Sequence, residues 1–217
     1  MIPIIIEDNF FKYPEKVLEL CNKCDFEKSP DGRWPGARSK LLHKVDVDFF
    51  KIFHSKIFAL IYPYHYQNID YAAYSSFQKV DGDTYKNEGW VHTDPGEITA
   101  IVYLSKHEDC GTSFWESKSF EAPIHNDKKE SIYLNKLPKE EELKYLNENN
   151  NQFTKVLDVK SKFNRAIIFD AKKLHSASKF TDNAVESERT TLITFINGIK
   201  VKNDVFKSGV LESQRVD

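Results

Sequence analysis

The feature that most limits what this chain can become is a set of short apolar runs, rich in β-branched residues, in its second half. Ile98-Thr99-Ala100-Ile101-Val102-Tyr103-Leu104, Arg165-Ala166-Ile167-Ile168-Phe169-Asp170 and Arg189-Thr190-Thr191-Leu192-Ile193-Thr194-Phe195-Ile196 are all of strand length. Turn residues or polar stretches bound them, and their composition is that of buried strands. Residues 71–80, 90–94, 110–115 and 153–159 read as further strands, the second of them ending at Pro95-Gly96. Many short strands with intervening turns point to a β-sandwich or barrel.

The first 70 residues have a different pattern. Ile2-Pro3-Ile4-Ile5-Ile6 reads as a short buried strand. Pro14 suits the first turn of a helix running to Cys24, and Phe49, Phe50, Phe53, Ile57, Phe58 and Ile61 repeat at helical spacing over residues 46–62. Residues 28–40 carry Pro30, Gly32, Pro35 and Gly36 and read as a loop. That loop, with Trp34 and Arg38, is taken as solvated rather than as a cover for a site. Residues 116–152 are rich in Lys, Glu and Asn and read as an insertion with a surface helix over 138–147. Its stretches 126–130 and 147–152 look too polar to bury. The expected organisation is one domain over 1–217, with a supporting helical part (1–70) and a β core (71–198) interrupted by this insertion, which is read as a lid or rim.

Composition excludes several classes. There are 31 basic and 33 acidic side chains, a net charge of -2, which is no signature of a nucleic-acid binder. No apolar stretch approaches the ~20 residues a membrane helix needs. Three cysteines (Cys21, Cys24, Cys110) and no recognisable secretory signal suggest reduced thiols and a cytoplasmic setting. The Cys21/Cys24 pair is read as packing thiols rather than as a redox or zinc motif.

Three signals bear on chemistry. His92-Thr93-Asp94 in an extended segment projects imidazole and carboxylate to one face. His175 follows the 165–170 strand, where a polar ring would sit at a sheet rim. Two histidines and one carboxylate on one face make the facial triad of non-haem iron sites, with three positions open. Arg189 begins a strand whose alternate residues, Ile193 and Phe195, face a core, so its guanidinium needs an anion there. His43, His54, His65, His107 and His125 are read as packing or surface groups.

Taken in order, the H-x-D, the Val102-Tyr103-Leu104-Ser105 segment, Gly111-Thr112-Ser113-Phe114-Trp115, His175 and Arg189-x-Thr191 resemble the iron(II)- and 2-oxoglutarate-dependent dioxygenases, particularly the prolyl-hydroxylase-like group. The resemblance covers roughly residues 71–198. It implies a mainly β (α+β) fold, a double-stranded β-helix or jelly roll with supporting N-terminal helices. It also implies iron(II) on His92, Asp94 and His175, and 2-oxoglutarate held at its distal carboxylate by Arg189, Tyr103 and Thr191. The activity implied is hydroxylation of a small-molecule or peptidyl substrate with O2, releasing succinate and CO2. Gln78 stands roughly where relatives carry a cosubstrate-binding polar residue.

The chain departs from the prolyl-hydroxylase pattern in three places. Val185 occupies the position of a lysine found in collagen-type enzymes, Thr112 replaces the second glycine of a Gly-Gly pair, and the insertion lengthens the gap from Asp94 to His175. The alternative from another class is a non-catalytic jelly-roll module that binds a metal or ligand. That module has no use for an anion clamp beside the metal. A cupin-type metalloenzyme is disfavoured by the lack of any H-x-H.

Overall fold

The computed structural model describes residues 2–64, 68–82, 84–85, 87–106, 108–119, 126–180 and 188–202. His65, His107, His125 and Val185 fall outside them. In chain order the elements are β1 (Ile5–Glu7), α1 (Pro14–Asn22), β2 (Phe26–Lys28), β3 (Ala37–Ser39), α2 (Leu42–Val45), α3 (Val47–Ile61), β4 (Ile69–Asp81), β5 (Ile98–Tyr103), β6 (Thr112–Ser117), α4 (Asn126–Tyr133), α5 (Lys139–Asn150), β7 (Phe153–Val159), β8 (Ala166–Asp170), β9 (His175–Ala177) and β10 (Glu188–Val201).

Ten strands form two antiparallel sheets. The larger has the order β1-β8-β5-β10-β4-β3-β2 and the smaller β7-β6-β9. This is the expected mainly β jelly roll. Strand alternation explains why its central strands read as continuous apolar runs. Ile98, Ala100 and Val102 of β5 join Leu192 and Ile196 of β10 in a core shared with Phe53, Ile57 and Phe58 of α3. Ile101 and Tyr103 point the other way, towards Phe114, Ile167, Phe169, Ile193 and Phe195 between the sheets. A strand buried on both faces loses the polar half of its alternation.

The N-terminal part is less purely helical than expected. Its strand β1 pairs with β8, and β2 and β3 extend the large sheet beyond β4. Residues 28–40 are therefore not one solvated loop: Arg38 lies in β3, opposite Gln78 of β4. The spacing that marked α3 is confirmed, and its start is fixed by Asp46, whose carboxylate accepts from the backbone N–H of Asp48 and Phe49. Cys21 is buried and its thiol is pushed up to about 12 by burial, while Cys24 donates to the Leu20 carbonyl; both behave as packing groups. Among the described residues no helix is long and apolar enough to cross a membrane.

α3 also sets one polar group against the sheet. His54 is fully buried, with Nδ1 bonded to the Phe50 carbonyl and Nε2 beside the hydroxyls of Thr194 and Ser75. Desolvation lowers its pKa from the ordinary 6.5 to about 4.

Residues 90–94 were expected to form a strand, but only His92 pairs, in an isolated antiparallel bridge to His175. The segment is braced from both sides. On one side Gly89 N–H donates to Ala177, His92 and His175 exchange both backbone bonds, and Asp94 N–H donates to Ala171. Gly89 is required by the approach, because a Cβ there would sit 2.8 Å from the Ala177 nitrogen. On the other side the partners are side-chain amides. Asn150 accepts from Val91 N–H and donates to Gly89 C=O, and Asn149 donates to Val91 C=O. These asparagines end α5 and are buried, although the sequence of 147–152 looked too polar for that. They act as a stand-in for a neighbouring strand, so the segment satisfies its backbone without a full ladder. The insertion also supplies Ile132, Tyr133 and Leu146 to a third cluster with Val80, Tyr85, Trp90 and Phe180. It is therefore packed onto the fold rather than only skirting it.

Two measurements check these assignments. The folded pKa of His54 lies below the unfolded one. The unfolded chain thus takes up the extra proton, and stability is lost as the pH falls through 6.5 towards 4. Between pH 7 and pH 5 the native protein should lose about 2 kcal/mol more stability in urea unfolding than His54→Gln; equal losses would show that His54 is not held neutral. Asn150→Ala strands Val91 N–H and Gly89 C=O and should cost about 1–3 kcal/mol in the same assay. An unchanged unfolding midpoint would mean that α5 does not hold the segment.

Candidate metal centre and cavity

The reciprocal backbone pair between His92 and His175 puts their side chains on the same side of the ladder, and their rings lie 4.6 Å apart. Asp94, two residues beyond His92, returns to that side. One ligand atom from each of His92, Asp94 and His175 lies within 4.8 Å of the others. His175 is seated against Phe169, ring centroids 4.8 Å apart, and Phe169 packs edge-on against Phe114. These contacts limit the rotation of the ring.

The hydrogen bonds around the three side chains decide what they can hold. His92 Nδ1 lies 2.7 Å from the Trp90 carbonyl and His175 Nδ1 2.9 Å from the Lys173 carbonyl. A carbonyl only accepts, so each Nδ1 carries a proton and Nε2 is the atom turned to Asp94. His175 Nε2 lies 3.1 Å from Oδ2 and His92 Nε2 3.5 Å from Oδ1. Oδ2 also accepts from the Thr99 hydroxyl at 2.8 Å, which fixes the carboxylate plane. Burial lowers His92 to about 4, with Lys129 adding to the effect, so this ring is neutral at pH 7. Burial alone would raise Asp94, but the neighbouring histidines outweigh it and hold the carboxyl well below its ordinary range. A bound cation would take the place of any Nε2 proton shared with Asp94, leaving two imidazole nitrogens and a carboxylate turned to one point. A divalent cation fits that donor set, and the engaged Nδ1 atoms are the outer support such ligands require.

The triad opens into a cavity of roughly 640 Å³. Its apolar wall includes Trp34, Tyr133, Phe180, Ile193 and Phe195, and Arg38, Gln78, Thr112, Lys129 and Arg189 supply polar groups. Arg189 is buried at the start of β10. Its Nε donates to the Cys110 carbonyl at 2.8 Å, and its guanidinium carbon lies 5.5 Å from the centre of the Tyr103 ring. Desolvation lowers its pKa, but a guanidinium remains charged. Tyr103 pairs with Thr191 across β5 and β10. Neither is among the residues lining the cavity. The Tyr103 hydroxyl instead shares a hydrogen bond of 2.8 Å with Thr112, which does line it. Burial pushes Tyr103 up to about 12, so the hydroxyl stays neutral.

Of the residues singled out from the sequence, Gln78, His92, Asp94, His175 and Arg189 line the cavity, and Tyr103 and Thr191 do not. Sequence reasoning missed Lys129, Tyr133 and Phe180. Lys129 and Tyr133 sit in the segment read as a solvated insertion, and no local pattern in a run of Lys and Glu tells which lysine will face inward. Arg38 was assigned to a solvated loop. A signal was present in the neighbouring Trp34, because Trp exposes little of itself without a reason.

No curated protein matches the chain by sequence. Solved structures with the same fold include HygX from Streptomyces hygroscopicus with nickel and 2-oxoglutarate bound (12% identity, TM-score 0.53, covering 89% of this chain and 82% of that one). A second is a 2OG-Fe(II) oxygenase family oxidoreductase from Burkholderia pseudomallei (9%, TM-score 0.52, 89% and 84%). A third is EvdO2 from Micromonospora carbonacea var. aurantiaca complexed with 2-oxoglutarate (9%, TM-score 0.52, 93% and 89%). At these identities the likeness establishes the jelly-roll architecture. The sequence itself matches a family of unknown function (DUF6445) over residues 2–191, and the chain belongs to that family.

Proposed function

We propose that this protein is an iron(II)- and 2-oxoglutarate-dependent oxygenase, with the whole chain forming a single catalytic domain. The observation that carries the reading is the convergence of His92, Asp94 and His175 in a cavity that also holds the buried guanidinium of Arg189. A metal site alone would suit many proteins. A second, permanently charged anion clamp in the same cavity suits a bidentate dicarboxylate cosubstrate and has no use in a non-catalytic module. The fold shared with HygX and EvdO2, both solved with 2-oxoglutarate bound, and with a 2OG-Fe(II) oxygenase family oxidoreductase supports the same reading.

In this assignment His92, Asp94 and His175 would hold iron(II). Arg189 would take the distal carboxylate of 2-oxoglutarate, with the Thr112 hydroxyl beside it and Tyr103 and Thr191 supporting that wall from behind. Bound iron(II) would supply the oxidising chemistry, with 2-oxoglutarate taking one oxygen atom of O2 as it gives succinate and CO2 and the substrate C–H taking the other as a hydroxyl. The chain contributes position and dryness: Ile193, Phe195, Trp34 and Phe180 keep water from the reacting region. The order of motifs in the sequence favours hydroxylation of a C–H bond, in the manner of the prolyl-hydroxylase-like group.

Two variants test this. Asp94→Ala removes the only carboxylate of the triad. Iron(II) or manganese(II) affinity should then fall by more than the roughly 10–100-fold lost when a residue that merely supports a ligand is removed, with the unfolding transition preserved. Full metal binding by Asp94→Ala would refute the triad. Arg189→Ala should keep metal affinity and weaken 2-oxoglutarate about 10–100-fold, the loss of a charge-assisted pair, read by titrating the cosubstrate into metal-loaded protein without oxygen. Unchanged 2-oxoglutarate affinity would remove Arg189 from the clamp.

A further inference from the structure

The cavity contains more positive charge than a dicarboxylate cosubstrate needs. Arg38 reaches it from β3, where Nε and one terminal nitrogen donate to Gln78 Oε1 at 3.3 and 3.2 Å, and its guanidinium stacks 4.5 Å from the Trp34 ring. Lys129 reaches it from α4, on the opposite wall. Among the described residues neither has a carboxylate within ion-pair distance, and Arg189 has none either. Asp94 is the nearest negative influence on both, and it belongs to the triad. Glu130 also lines the cavity but affects Lys129 less than Asp94 does. Desolvation lowers Arg38 to about 10 and Lys129 to about 8, and Arg38 is close enough to depress the lysine further. Both stay mainly charged at pH 7. Two converging, poorly solvated cations repel each other and are costly unless an anion joins them.

The walls that carry them are locked together. Gly32, at φ +72°, lets the loop before β3 press onto α4, where a Cβ would lie 2.2 Å from the Glu130 carbonyl oxygen. The loop and the insertion therefore close over the cavity as a pair, each bringing one cation. The Trp34 indole N–H adds a buried donor with no acceptor among the described residues. Aromatic and aliphatic surface from Tyr133, Phe180 and Phe195 surrounds these groups.

We infer that Arg38 and Lys129 form a second anion site that binds the substrate, and that the substrate is a small molecule with a carboxylate or phosphate attached to an apolar body. This rests on the oxygenase reading above, with Arg189 occupied by the cosubstrate. Gln78, donating to the Pro35 carbonyl while accepting from Arg38, sets the guanidinium in place as a positioning residue.

The test uses metal-loaded protein with saturating 2-oxoglutarate under anoxia. Ligand-observed NMR is run with a set of aryl- and alkyl-carboxylates and phosphates, each paired with its uncharged amide or alcohol. Anionic members should bind and their neutral partners should not; carboxylates binding better than phosphates, or the reverse, identifies the headgroup. Arg38→Met and Lys129→Met should each weaken the anionic binders about 10–100-fold while leaving 2-oxoglutarate affinity within about twofold. Lys129→Glu, on a different element from Arg38, should abolish binding of the anionic members and guards against a packing defect at Trp34; retained anionic binding in it overturns the inference. Equal binding of charged and neutral members overturns the inference. So does a loss of 2-oxoglutarate affinity in Arg38→Met as large as that in Arg189→Ala, which would assign Arg38 to the cosubstrate. Failure of the native protein to bind metal or 2-oxoglutarate at all is a separate result, and it overturns the oxygenase reading instead.

Discussion

The two backbone hydrogen bonds exchanged by His92 and His175 are the constraint on which the site depends. Residues 89–94 have no ladder of their own, and that pair, with the flanking bonds from Gly89 and Asp94, attaches them to the edge of the small sheet. Because paired residues on antiparallel strands project to the same side, the backbone alone brings two imidazoles together. Asp94 joins them by the period of extended chain. The side chains then need only local help: carbonyls on both Nδ1 atoms, the Thr99 hydroxyl on the carboxylate and Phe169 under the His175 ring.

The free edge of the same segment explains the insertion. An extended stretch with unpaired backbone groups on one side cannot be buried without partners. The amides of Asn149 and Asn150 provide them, and the helix that carries these amides also closes a small apolar cluster around Trp90. The insertion is thus coupled to the segment that carries His92 and Asp94 through a few hydrogen bonds. It also contributes Lys129 to the cavity wall, so a single peripheral segment supports the triad and shapes the space above it.

Charge gives the cavity its character. The triad is rich in acceptors and asks for a cation; the surrounding walls are rich in donors and ask for anions. In a region with little water these demands reinforce each other, since each unmatched group is expensive. A chain of net charge -2 has no need of such a concentration of basic groups for solubility. Their convergence from β3, α4 and β10 reflects the contents of the cavity and not the composition of the whole.

By itself the sequence determined the class of fold and pointed to the residues proposed as the core of the site. Long apolar runs at strand length, a helical repeat over residues 46–62 and the order of His92, Asp94, His175 and Arg189 are local or short-period signals, and side-chain alternation carries them directly into three dimensions. Tertiary structure alone decided the rest. Whether residues 90–94 form a strand depends on what lies at their edges, and the amide partners of Val91 are 58 and 59 residues away in α5. Whether residues 37–39 are loop or strand depends on the exposed edge of β4. Which cations of two polar segments turn inward depends on the contact of Gly32 with α4. Each of these is a pairing between distant segments with no periodic trace in either one. The turn residues and charges legible there describe a surface, and burial reversed that description only once the two segments met over the cavity.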